Sequence, residues 1–178
     1  MEADWEFEIG GDAPVIEAYW SGFADLRTNP ERVSELVECR ELPGLANALV
    51  RLNAEDSAVW TCKTDVFAPE RIDADEMEAS REDAVHAISC YVDILFRSDR
   101  IWHSLAKAER DCETLCAKLR AKALTRCRVD IVIRKAMRGD REELGATVYL
   151  TACGRTLSDA KDRLGECLAD FSEVVAGR

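Results

Sequence analysis

The order strand, strand, helix occurs twice in this chain, and that recurrence restricts the fold more than any single motif does. The runs "AVWTCKTDVF" (58–67) and "AISCYVDILF" (87–96) read as strands, rich in β-branched and aromatic residues. A helical stripe follows, with Leu105, Ala108, Cys112, Leu115, Cys116 and Leu119 at the spacing of one helix face. The pattern then repeats: "RCRVDIVIRK" (126–135), a turn across "RGDREELG", and "ATVYLTAC" (146–153). A helix capped by Ser158 closes the unit, carrying Ala160, Leu164, Cys167, Leu168, Phe171 and Val175 on one side. "YVDILFR" (91–97) and "YLTACGR" (149–155) share a Tyr to Arg spacing, and a helix follows each, as in an internal duplication. A hairpin with one helix is too small to bury a two-sided core. Two such units together predict an α+β two-layer sandwich: a four-stranded antiparallel sheet, with room for a fifth strand, and two helices on one face.

The strand "RCRVDIVIR" (126–134) sorts its residues onto two sides. Cys127, Val129, Ile131 and Ile133 point one way and Arg126, Arg128, Asp130, Val132 and Arg134 the other. A C-x-x-D spacing recurs in three predicted strands, at Cys62 and Asp65, Cys90 and Asp93, and Cys127 and Asp130. Alternation predicts each cysteine beneath the helices as a small hydrophobe and each aspartate on the far face. Aspartate is unfavourable inside strands, so those positions ask for a reason.

The far face collects the candidate binding residues Asp65, Tyr91, Asp93, Arg128, Asp130, Arg134 and Tyr149. Three roles compete for it. It can be a solvated surface with cross-strand ion pairs such as Asp93 with Arg128. It can meet a protein partner through Tyr91, Tyr149, Phe67 and Arg134, residue types enriched at interfaces. Or Asp65, Asp93 and Asp130 can converge on a divalent cation or small ligand.

Composition removes several other classes. At 178 residues, 47% hydrophobic and 33% charged, the expectation is one domain over 1–178: a leader and bent helix (1–53), a first unit (57–121) and a second (125–176). A formal charge of −11 and a pI near 4.7 repel a phosphate backbone, so nucleic acid is not an expected partner. No apolar run approaches the roughly 18 residues of a membrane span, and "MEADWEFEIG" has no signal-peptide pattern, so the expected place is the cytoplasm and no membrane partner is expected. The eight cysteines include no C-x-x-C pair and there are two histidines, His86 and His103, in no metal-binding spacing. They predict buried thiols, with neither metal nor cofactor. Nucleophile elbows and glycine-rich phosphate loops are absent from the sequence, and His86 and Cys90 are spaced for core packing rather than for catalysis.

Trp5, Phe7, Tyr19, Trp20 and Phe23 are too many large aromatics for a free tail and predict a leader that docks. Within it "WEFEIG" alternates as an edge strand would, with Glu6 and Glu8 toward water. Asn29 and Pro30 predict a helix start, broken at Pro43 and Gly44, and "PERIDADEMEASRED" a solvated loop. The expectation is a protein that acts by binding, as an inhibitor, immunity-type partner or adaptor, toward another protein or a second copy of itself. The alternative is a small-molecule or divalent-metal domain, or an enzyme, built on the carboxylates of the far face.

Overall fold

The structure, a computed structural model, describes residues 1–11, 13–97 and 101–177. It is α+β, with a mixed six-stranded sheet among the described residues. In chain order the elements are β1 (Glu2–Glu8), β2 (Ile16–Ala18), α1 (Val37–Glu41), α2 (Pro43–Asn53), β3 (Val59–Phe67), β4 (His86–Phe96), α3 (Leu105–Arg120), β5 (Cys127–Arg138), β6 (Arg141–Gly154) and α4 (Leu157–Ala176). Across the sheet the order is β1, β5, β6, β4, β3, with β2 continuing the line of β1 along β5. The four strands of the two units are antiparallel, as expected. The leader makes the sheet mixed, because β1 and β2 both run parallel to β5.

One face carries the helices. Ile88, Cys90, Val92, Ile94, Val129, Ile131, Ile133, Val148 and Leu150 form a core with the stripes of α2, α3 and α4. Burying such a stripe removes apolar area from water at roughly 25 cal/mol per Å². A third helix therefore joins the two expected in this layer. It can approach closely because Gly44 at the start of α2 meets Gly165 in α4: a Cβ on Gly44 would lie 2.7 Å from the Gly165 Cα. Pro43, expected to break a helix, instead opens α2 at a position where its missing N–H costs nothing. All eight cysteines are free and buried. Burial raises the Cys90 thiol to about 12, so it packs as a neutral hydrophobe.

Other local expectations change in detail. Asn29 makes no capping bond, and Pro30–Glu35 is a 3-10 turn rather than the start of a long helix. Thr156, not Ser158, caps α4, its hydroxyl accepting from the Asp159 N–H at 3.1 Å. The second hairpin is tighter than its sequence suggests. Strands β5 and β6 run to Arg138 and from Arg141, so only Gly139 and Asp140 turn, with Gly139 at φ 59.

Both edge strands protect themselves in the same way. The Asp4 carboxylate accepts the N–H of Trp5 at 2.8 Å on β1, and the Asp65 carboxylate accepts the N–H of Val66 at 2.8 Å on β3. An outward amide that would otherwise invite another strand is occupied by its neighbour's side chain. This is a physical reason for aspartate at two strand positions.

Candidate functional site

The face opposite the helices is covered at both ends and uncovered in the middle. At one end, residues 13–29 form a strap. Ile16 and Ala18 of β2 pack with Trp60, Cys62, Leu95 and Ala136 in a small second core, and Phe23 packs against it. The Trp20 indole donates to the Cys62 carbonyl at 3.1 Å. Arg27 lies 3.9 Å from the centre of a Trp60 ring and is gripped by Asp25 at 2.7 and 2.8 Å. Tyr19 turns the strap at φ 64, a left-handed conformation costing on the order of 1 kcal/mol that docking must offset.

At the other end the acidic segment 68–85, solvated along most of its length as expected, docks through one residue. Met77 is buried with Ala87 and Cys153, its carbonyl accepts the Arg126 N–H at 2.9 Å, and Glu76 pairs with Arg128 at 3.2 Å.

Between strap and loop lies a window of sheet whose residues are set by register. Asp65 faces Tyr91, Tyr91 faces Tyr149, and Tyr149 faces Asp130, which in turn faces Asp4. The tyrosine rings are 6.0 Å apart and half-buried. The next row toward the strap is Lys63, Asp93, Thr147, Val132 and Glu6. Here the side chains are linked: the Thr147 hydroxyl donates to Asp93 at 2.6 Å and accepts from Arg134 at 3.1 Å. Arg134 also donates to the Tyr149 oxygen at 3.3 Å and to Glu8 at 3.0 Å. A trough of about 290 Å³ runs over Val132, its charged and aromatic lining including Asp4, Glu6, Arg128, Asp130, Arg134 and Tyr149.

Burial raises the Asp93 carboxyl above its usual range, against the opposing pull of Thr147, Arg134 and Lys63. Burial also works against the charge of Arg134, but Glu8 and Tyr149 outweigh it and the net shift is upward.

All seven candidate residues lie on this face, but they do not make the pairs expected of them. Asp93 and Arg128 are no ion pair, because β6 stands between their strands; Arg128 binds Asp130 at 2.8 Å on its own strand. Asp65 and Asp130 stand at opposite ends of a row with two tyrosines between them, and no group among the described residues could hold a metal ion. Cys62 points to the strap side rather than beneath the helices, since a bulge between Thr61 and Lys63 adds a residue and reverses the alternation. Sequence reasoning missed Glu8 as the partner of Arg134, and Arg27 and Trp60 altogether. The alternation of "WEFEIG" was the available signal for Glu8.

A larger hollow of about 430 Å³ lies on the helix side, between α3 and the end of α4. Three of its charged groups are committed to the fold: Lys107 pairs with Asp111 at 2.6 Å, and Arg97 donates to the Ala54 carbonyl at 2.7 Å. The window, with a half-buried tyrosine pair at its centre, is the better candidate.

Comparison with protein-family models, with curated proteins and with solved structures finds no match to this chain.

Proposed function

We propose that this chain is a non-enzymatic protein-binding module whose contact surface is the window. The observation that carries this reading is the Tyr91 and Tyr149 pair, left partly exposed at the centre of a sheet face that is otherwise covered at both ends. Tyrosine offers large, amphipathic contact area at low entropy cost, and arginine beside it adds directional hydrogen bonds. Phe67, 38% exposed on β3, extends the same surface. The fixed parts are rigid: the rings stand on central strands, and Arg134 is held from three sides.

The two units are further read as an internal duplication. The row Asp65, Tyr91, Tyr149, Asp130 is a palindrome, as a twofold relation between two strand-strand-helix units produces. A partner seated across that row touches both units at once.

The test is a photo-crosslinking residue, benzoylphenylalanine, placed at position 149 in the full chain expressed in its native cells, with exposed position 117 on α3 as control. The expected result is a defined protein adduct at 149 and none at 117, its mass separating a second copy from another protein. Adducts at both positions, or none at 149, refute the reading.

A further inference from the structure

We infer that residues 13–23 of the strap are a displaceable cover, which lifts from the sheet while the sheet stays folded and brings Trp60, Cys62 and the Arg138–Glu143 pair into contact with water. The lifted form is a minor one, so Trp60 stays protected on average. Lifting lengthens the surface that the window offers, and that consequence alone rests on the binding reading above.

Three observations point the same way. The first is how little fastens the segment. β2 pairs with β5 over three residues, preceded by a bond from the Val15 N–H to the Lys135 carbonyl at 3.0 Å. Beyond that ladder the segment is tied by the Trp20 indole on the Cys62 carbonyl and by the Tyr19 hydroxyl, which accepts from Arg27 at 3.3 Å. The ion pairs nearby lie wholly outside it, Asp25 with Arg27 and Glu143 with Arg138. Ile16 is fully buried, but Val15 is 54%, Tyr19 52% and Trp20 39% exposed. Few buried apolar contacts mark a segment that opens locally, below the free energy of global unfolding. β5 keeps its whole pairing with β6 when β2 leaves.

The second is the surface beneath. Register sets Ile16 beside Ala136 and Ala136 beside Glu143 on the covered face. A Cβ on Gly145 would lie 3.0 Å from the Ile16 Cδ1, so Ile16 reaches across to β6, close to Glu143. The Glu143 side chain is 2% exposed: its Oε1 accepts from Arg138 at 2.6 Å, while its Oε2 is buried without a hydrogen-bond partner among the described residues. An unbonded carboxylate oxygen raises the free energy of the closed form, and water reaches it when the segment lifts. Arg138 also donates to the Phe96 carbonyl at 2.6 Å, so the pair stays in place on the sheet.

The third is where the chain is held and where it bends. Leu26 is buried in the main core and Ala24 packs against it, so the strap is anchored from there onward. Just before that anchor the backbone passes through two left-handed positions, Tyr19 at φ 64 and Gly22 at φ 101. Glycine adopts such a conformation freely and provides the pivot, whereas tyrosine is strained in it and is relieved on lifting.

Cys62 reports on the lifting, since it is 6% exposed in the small core under the strap. The experiment labels the purified full chain with N-ethylmaleimide, in the range where the rate is proportional to reagent, and reads each cysteine by mass spectrometry across sub-denaturing urea. Cys62 is expected to react at least about tenfold faster than Cys90 in the helix-side core, with a shallower urea dependence. Two matched substitutions assign the path. Ile16→Val should speed Cys62 about fivefold, whereas Ile131→Val, beneath the helices, should speed Cys90 about fivefold and leave Cys62 within about twofold. Equal rates and equal urea dependence at Cys62 and Cys90, or a Cys62 rate that rises with Ile131→Val, overturn the inference, because the sheet must then unfold to free Cys62. A Cys62 rate that ignores Ile16→Val overturns it by showing the thiol reached without lifting, and a rate equal to that of a free cysteine peptide by showing the segment undocked. The labelling uses the chain alone, so it stands or falls separately from the crosslink at position 149.

Discussion

The two halves of the helix-free sheet face have similar ingredients and opposite fates. At the strap half, Trp60 is 1% exposed beneath Tyr19, Phe23 and Arg27. At the window, Tyr91 and Tyr149 stand on the neighbouring stretch of the same sheet, on β4 and β6, and remain partly exposed. Both halves hold aromatic rings flanked by arginine and carboxylate. The difference is the occupant: residues 13–29 cover one half, anchored by the short parallel pairing of β2 to β5, and residues 68–85 stop short of the other. A sheet face in this chain is thus completed in cis at one end and left partly open at the other.

Substitutions at matched positions should separate the halves. The largest effect is expected for Trp60→Ala, which empties the strap core and should cost about 3–5 kcal/mol in denaturant unfolding. A loss below about 1 kcal/mol would mean the strap is not docked in solution. Trp20→Ala removes the indole bond to the Cys62 carbonyl and part of the cover, and should cost about 1–2 kcal/mol.

Asp93 gives an effect of opposite sign. Burial raises its carboxyl, so the folded chain keeps that proton to higher pH than the unfolded chain does. The cost of ionising it is absent at low pH, sets in as pH rises through the folded value, and is fully present above it. Asp93→Asn should therefore raise Tm at neutral pH, with the gain fading as pH falls to about 3 and below, where both states hold the proton. A fall in Tm at neutral pH would show that Thr147, Lys63 and Arg134 repay the ionised form in full. The smallest effect belongs to the window: Tyr149→Ser should change stability by less than about 1 kcal/mol while weakening partner binding.

What was legible in the sequence follows the same division. The helix side was readable because a 3.6-residue stripe and a strict two-residue alternation each name their buried face without reference to distant chain. Cys127, Val129, Ile131 and Ile133 lie where alternation puts them. The strap was expected to dock, yet its site was hidden, since β2 is only Ile16–Ala18 and its partner lies far along the chain. Cys62 misled because one bulged residue inverts the alternation. Asp93 with Arg128 misled for a different reason: which strand lies between two others is a fact of topology, and periodicity does not carry it. Asp65 shows how a residue that looks functional acquires a local role, as the cap of the Val66 amide at a sheet edge.

The most direct test of the account is hydroxyl-radical footprinting of the purified full chain, read by mass spectrometry at Trp60, Tyr91 and Tyr149. An uncovered window beside a closed strap half predicts ready oxidation of both tyrosines and protection of Trp60, with the tyrosines becoming protected when a partner binds. Tyrosines as protected as Trp60 in the isolated chain would show the window already covered, and a readily oxidised Trp60 would show the strap undocked; either result contradicts the division on which the account stands.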